Sequence, residues 1–396
     1  MKKLICFSFL ICLIQVAIYS EDNTLADNYI KYFRRGNIDT KIQVIKNAAN
    51  TKDANMGPLF HEAVGFITQN TTNLKILKNN PAIGEMVILS IQKIGEIPYK
   101  EARYTLWKLY QKDETTIIRI NILNTFSTIA KGDKNIINGL NKWLYKQNNR
   151  FLTQDKPEFQ IVDACLRTLG ALKDPSSFPD IFRSMNLQYS VMISETALES
   201  LYLIKGKMKD HLLNIIENRP VQDKYDALAF SLDVPKLTDD ERKEIIKYSL
   251  NITLETETIV QQDLNIFKEI GYLAIRSAAI FKMREASDLA IRHFNKISKE
   301  YRDSKATKPH LIEAIDCLGS IATKEAAKTL TNHLHSLNQY TEQTRVYDEQ
   351  VVITLINNLI KIGDPVGLDP IQYAVFLGYS DRIKNVAKDA VKTLLK

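Results

Sequence analysis

The chain is short of the residues that usually carry chemistry. Six histidines and four cysteines are scattered through 396 residues. No nucleophile elbow, no phosphate-cradling glycine loop and no Cys–His pairing at metal-ligand spacing appears among them. After the first twenty residues no apolar run reaches the roughly twenty residues that a membrane-spanning helix needs. A strong charge of either sign is also missing. The formal net charge is +7, and +5 once residues 1–20, with two lysines and no acid, are set aside. That balance is too mild for a nucleic-acid binder. Alternating strand patterns are absent as well, which removes the β classes and leaves helical periodicity as the organising signal.

The N-terminus reads as an export signal. Met1-Lys2-Lys3 is a basic start, Leu4 to Ile18 is almost unbroken apolar sequence, and Tyr19-Ser20 leads into the polar Glu21-Asp22-Asn23. The expectation is cleavage after Ser20 and a soluble chain in a bacterial periplasm or cell envelope. The alternative is an uncleaved anchor. A lipoprotein signal on Cys12 fits less well, because Ile11 before it is not small. Cleavage removes Cys6 and Cys12. Cys165 and Cys317 remain, each beside a leucine on an apolar helix face, and are expected as buried free thiols rather than a disulfide.

What is present is a recurring punctuation mark. Apolar residues at helical spacing end near a glycine, and a second helical stretch follows within a few residues. Leu169-Gly170-Ala171-Leu172-Lys173-Asp174-Pro175 is the fullest example and Ile362-Gly363-Asp364-Pro365 the compact one. Gly95, Gly132, Gly206, Gly271 and Gly319 are weaker echoes. Gly95, Gly132, Gly170 and Gly206 are 37, 38 and 36 residues apart. The next gaps are 65, 48 and 44, with a break at Asp233-Val234-Pro235. Spacings near 36–48 are those of two-helix repeats. Glycine is expected to close each first helix in the left-handed conformation. Asp174 or Asp364 is then expected to cap the next helix, with Pro175 or Pro365 in its first turn. Thr238-Asp239-Asp240-Glu241 reads as a capping box. Ala164, Leu166, Leu169 and Leu172 form one apolar stripe, answered by Phe178, Ile181, Phe182 and Met185. Val351, Leu355, Leu359 and Ile362 form another, answered by Ile371, Val375 and Phe376.

The stretch Ala164–Pro175 with its following helix resembles a HEAT or phycobilisome-lyase-type HEAT-like repeat. Ala314–Ala322 and Ile356–Pro365 are similar. The resemblance implies an all-α fold, a right-handed α-solenoid of antiparallel helix pairs stacked into one core. The organisation expected is a signal peptide over 1–20 and an N-terminal helical cap over 21–37, with Leu25, Tyr29 and Phe33 inward. A HEAT-like solenoid of about eight helix pairs would follow over 38–380, bent near 206–271. A capping helix over 381–396 would close it, with Ile383, Val386, Ala390, Val391 and Leu394 inward.

The resemblance specifies a fold better than a function. HEAT-type iron enzymes hold metal with several His–Glu pairs, whereas this chain has the single pair His61-Glu62. His333 and His335, two apart on a helix, point in different directions. No catalytic residue, metal ligand or cofactor is expected. Two surfaces stand out. Arg103, Tyr104, Trp107 and Lys108, with Tyr110 beside them, put aromatics and cations along one side of a second helix. Such helices line the concave face in HEAT solenoids. The competing reading is that these aromatics are inter-repeat core. Lys384, Lys388, Lys392 and Lys396 recur every fourth residue on the C-terminal helix, either as a contact for acidic partners, lipid or wall polymers or as the solvated face of a cap. The function expected is an exported, non-enzymatic scaffold or adaptor that binds a protein partner along the concave face. The alternatives are a peripheral wall- or membrane-associated factor using the basic C-terminal helix, and an enzyme or ligand-binding protein with a pocket in the groove.

Overall fold

A computed structural model of the protein describes residues 24–69, 80–256 and 260–395. The expected signal peptide, Cys6, Cys12 and Lys396 lie outside the described residues. Among those described, every regular element is helical. The chain divides into two compact units, with the boundary between Lys205 and Gly206.

Unit 1 holds α1 (Leu25–Arg35), α2 (Ile38–Asn50), α3 (Gly57–Thr68), α4 (Pro81–Glu96), α5 (Arg103–Lys112), α6 (Thr116–Ile129), α7 (Lys134–Leu152), α8 (Phe159–Leu172), α9 (Phe178–Asn186) and α10 (Val191–Leu203). Helices two apart in sequence pack together: α2, α4, α6, α8 and α10 each touch the next. A second rank joins α1 to α3, α3 to α5, and α7 to α9. Unit 2 holds α11 (Met208–Asn218), α12 (Val221–Asp233), α13 (Asp239–Glu255), α14 (Leu264–Ile280), α15 (Ser287–Arg302), α16 (Lys308–Ile321), α17 (Lys324–Thr344), α18 (Glu349–Ile362), α19 (Leu368–Ala374) and α20 (Asp381–Leu394). There α12, α14, α16, α18 and α20 form one rank, and α11, α13, α15, α17 and α19 the other. The core of each unit lies between its ranks. In α8 it takes Ile161, Val162, Cys165, Leu166 and Leu169, each at most 1 % exposed. Burying side chains of that size contributes about 1.5–3 kcal/mol apiece.

The local rules at the turns hold. Asp174 Oδ1 accepts from the Ser176 N–H at 3.0 Å and Asp364 Oδ1 from the Val366 N–H at 3.0 Å, each with a proline next in the chain. Thr238 and Glu241 make the reciprocal bonds of a capping box. The glycines divide: Gly132, Gly206 and Gly363 take the expected positive φ, at +79°, +108° and +73°. Gly363 closes α18 in the left-handed region. Gly170 and Gly319, however, lie inside α8 and α16, which Lys173 and Ala322 close instead. Their role is close approach between helices of one rank. A Cβ on Gly170 would sit 2.9 Å from Ser200 Cα, and one on Gly319 would sit 1.9 Å from Asn358 Oδ1.

Three apolar stripes are also rotated from the expected positions. In α1, Ala26 and Phe33 are buried while Leu25 is 49 % exposed. In α20 the buried residues are Ile383, Ala387 and Ala390, and Val386, Val391 and Leu394 are only half-buried. Phe376 falls beyond the end of α19 and is 83 % exposed rather than answering α18.

Candidate basic aromatic groove

The expected residues Arg103, Tyr104, Trp107 and Lys108 lie on α5, and the structure sets α7 beside them. Gly139 makes the contact: a Cβ there would lie 2.4 Å from Trp107 Cζ2, so only glycine lets the indole rest against α7. Trp107 stacks on Tyr110 with centroids 5.4 Å apart and planes 12° from parallel. Tyr110 in turn meets the edge of Trp143 at 6.2 Å and 71°. The Arg119 guanidinium lies 5.4 Å from the Tyr110 ring. Arg119 is fixed by donating to the Asp113 carbonyl at 2.7 Å and to Glu158 Oε2 at 3.0 Å. Tyr110 is therefore core, and burial pushes its phenol far up. Between these rings a groove of about 330 Å³ is lined by Trp107, Trp143, Gln111, Lys142 and Lys146 among others. Both tryptophans of the chain line it.

The two helices carry charged residues of one sign. Neither α5 nor α7 contains an acidic residue, while α5 carries Arg103, Lys108 and Lys112, and α7 carries Lys134, Lys142, Lys146 and Arg150. Arg103 pairs with Asp133 at 3.4 Å, Lys134 with Asp174 at 2.6 Å and Arg150 with Asp155 at 2.8 Å. Lys108, Lys112, Lys142 and Lys146 are exposed and make no ion pair with a described residue. Tyr104 stands 54 % exposed on the same helix, with the Arg103 guanidinium 5.8 Å from its ring. A half-buried aromatic wall beside unpaired lysines favours ligands that bring both an apolar group and negative charge.

Sequence reasoning found the α5 half of this groove and missed the α7 half: Lys142, Trp143 and Lys146. One signal was available. Trp107 and Trp143 are 36 residues apart, one repeat period.

The histidine candidates and Glu62 have structural partners. His61 Nε2 bonds Thr105 Oγ1 at 2.8 Å, and Glu62 takes a two-point bond from Arg34 at 3.0 and 3.1 Å. His333 packs edge-on against Phe294, whereas His335 bonds Gln339. On α20, Lys384 is half-buried, Lys392 pairs with Asp389 at 3.4 Å, and Lys388 lines a groove with Tyr373 and Phe376. Cys165 and Cys317 are buried free thiols, and burial raises both, Cys317 to about 12. In unit 2 a cavity of about 210 Å³ is bordered by Thr253, Tyr272, His293 and Glu300. His293 is 3 % exposed and its Nε2 has no hydrogen-bond partner. Among the described residues no group of three or more His, Cys, Asp or Glu could hold a metal ion, and no helix is long and apolar enough to cross a membrane.

No family model matches the chain, and no curated protein matches it either.

Proposed function

We propose that the protein is an exported, non-enzymatic scaffold that holds an acidic segment of a protein partner in the groove between α5 and α7. The observation that carries this reading is the groove itself, with both tryptophans on its wall and the exposed Lys142 and Lys146, without ion-pair partners among the described residues, beside them. The ranked helix contacts within each unit support a HEAT-like α-solenoid built from antiparallel pairs. In that architecture α5 and α7 belong to the rank that faces a partner. The basic, then apolar, start of the chain supports export to the cell envelope.

Mechanism here means display. An aromatic side chain of the partner inserts between the indoles, where burial and ring contacts supply affinity. Acidic residues flanking it meet Lys108, Lys142 and Lys146 at the rim. Such exposed pairs contribute about 0.2–1 kcal/mol each, and their larger effect is on encounter rate and partner choice.

The test is a titration of the full chain with a Trp-free octaglutamate peptide carrying one phenylalanine, read by indole emission at low and high salt. The emission is expected to change saturably. Lys142→Glu with Lys146→Glu is expected to weaken binding about tenfold or more, the equivalent of about 1.4 kcal/mol. Unchanged binding by that double variant refutes the groove as the docking site.

A further inference from the structure

The two units repeat one another at a spacing much longer than the helical-pair period. Asn148 on α7 donates through Nδ2 to the Asp180 carbonyl at 3.1 Å, and its Oδ1 accepts from Tyr189 Oη at 2.8 Å. Asn338 on α17 donates to the Pro370 carbonyl at 2.8 Å and accepts from Tyr379 Oη at 3.0 Å. Each residue of the second network lies 190 positions after its counterpart in the first. The capping pairs Asp174-Pro175 and Asp364-Pro365 obey the same spacing, as do the N-caps Ser190 and Ser380 of α10 and α20. So do α8 and α18, which are both 14 residues long. No other helix pair among the described residues carries this Asn–carbonyl–Tyr arrangement. Earlier in each unit the spacing is 184. Lys100-Glu101-Ala102 and Arg284-Glu285-Ala286 both form a short 3-10 turn leading into α5 and α15. The six-residue difference matches the extra length of α15, 16 residues against 10.

The correspondence carries the groove with it. Gly139, Lys142, Trp143 and Lys146 of α7 map onto Thr329, Asn332, His333 and Ser336 of α17, and all eight line grooves. Tyr110 maps onto Phe294. The Tyr110–Trp143 edge contact reappears as Phe294–His333, at 5.1 Å and 82°. The groove between α15 and α17 is larger, about 1000 Å³, and its lining contains no acid. Lys299 and Arg302 are exposed on its rim and make no ion pair with a described residue. Ser298, 7 % exposed, lines it with an Oγ that has no hydrogen-bond partner. Asn295 and Asn332 add amide donors, and Tyr340, 52 % exposed, adds an aromatic edge, while the Ser336 hydroxyl donates to the Asn332 carbonyl at 3.0 Å.

We infer that the chain is an internal duplication, and that the groove between α15 and α17 is a second docking site for an acidic protein segment. The occupant follows from charge and donor chemistry: two unpaired cations, several N–H and O–H donors and no carboxylate select a carboxylate-bearing chain. The inference rests on the reading of the α5–α7 groove as a docking site, of which this is the diverged copy. One chain then takes two acidic segments of a partner, which raises avidity without new contact types.

The test uses the full chain and the same phenylalanine-bearing octaglutamate peptide, with stoichiometry from calorimetry and indole emission recorded in parallel. Both tryptophans belong to the α5–α7 groove, so emission reports that site alone. The wild-type chain is expected to bind two peptides. Lys299→Glu with Arg302→Glu is expected to leave one, with the emission change intact. Lys142→Glu with Lys146→Glu is expected to leave one, with the emission change lost. A wild-type stoichiometry of one, lost only through Lys142 and Lys146, overturns the second site and leaves the first standing. Retention of two peptides by the Lys299/Arg302 variant also overturns it. Loss of a peptide through Lys299 and Arg302 while the Lys142/Lys146 variant binds normally supports the second site and refutes the first. Displacement of the second peptide by millimolar inorganic phosphate assigns that site to a small anion and overturns the peptide occupant.

Discussion

Acidification from pH 7 to pH 5 is expected to destabilise unit 2 more than unit 1, because unit 2 keeps the buried His293 and the half-buried His333 neutral. Burial pushes His293 down to about 3, with Lys296 and His310 adding to it. Burial, and then Arg302, pushes His333 down to about 4. In the unfolded chain both return to about 6.5. As pH falls below 6.5 the unfolded chain binds protons that the folded chain refuses, so folding stability falls with pH. The loss stops growing near pH 3 for His293 and near pH 4 for His333. Each pH unit costs about 1.4 kcal/mol per histidine, so the step from 6.5 to 5 costs about 2 kcal/mol each and about 4 kcal/mol together at most. That is a large share of a stability of about 5–15 kcal/mol. In unit 1 only half-buried His61 is pushed the same way. Urea unfolding at the two pH values measures the difference. Indole emission follows unit 1, and far-UV circular dichroism follows both units. The dichroism midpoint of unit 2 is expected to fall by roughly 1 M or more, and the emission midpoint by less. Burial raises the Asp226 carboxyl, an opposing contribution that variants at the histidines leave in place. Equal dichroism midpoints at both pH values refute the reasoning. So does a His293→Gln/His333→Phe variant that keeps the full loss.

Two further perturbations test the packing. Gly319→Ala forces a Cβ into Asn358, whose Nδ2 bonds Asp316 at 2.7 Å and the Thr354 carbonyl at 3.0 Å; strain of about 1–3 kcal/mol plus about 1 kcal/mol of lost hydrogen bonding is expected as a lower urea midpoint, and a shift under 0.5 kcal/mol counts against the close-approach role. In a Cys6→Ser/Cys12→Ser chain, Cys165 and Cys317 are expected to resist an aromatic disulfide reagent at pH 8 until denaturant is added, because both are buried with raised thiol pKa values; prompt reaction of the native chain contradicts that burial.

How far the sequence could be read depended on whether a feature is local. Asp174-Pro175, Asp364-Pro365 and the Thr238–Glu241 box were legible because a cap needs only residues within one turn of it. The all-helical class followed from apolar spacing. Gly170 and Gly319 were misread because left-handed closure and close approach both select glycine, and only the neighbouring helix tells them apart. Phe376 looked inward by spacing, but α19 ends at Ala374 and carries the spacing no further. The site was half legible. Tyr104 and Trp107 announce themselves as aromatics among cations, whereas Lys142 and Trp143 join them only once Gly139 brings α7 against α5. The duplication was hidden because few identical residues survive at the 190-residue spacing, while the hydrogen-bond roles do.

Those duplicated networks make the halves of the chain rivals during folding. Asn148 needs a carbonyl 32 residues on and a tyrosine 41 residues on, and Asn338 needs the same. A refolding chain therefore offers each asparagine a second, near-equivalent set of partners, the condition under which tandem repeats exchange segments and trap themselves. Synthesis from the N-terminus removes the ambiguity, since Asp180 and Tyr189 have already emerged when Asn338 is still unmade. Refolding from denaturant lacks that order, and dilution of full-length chain is where mispaired species should accumulate.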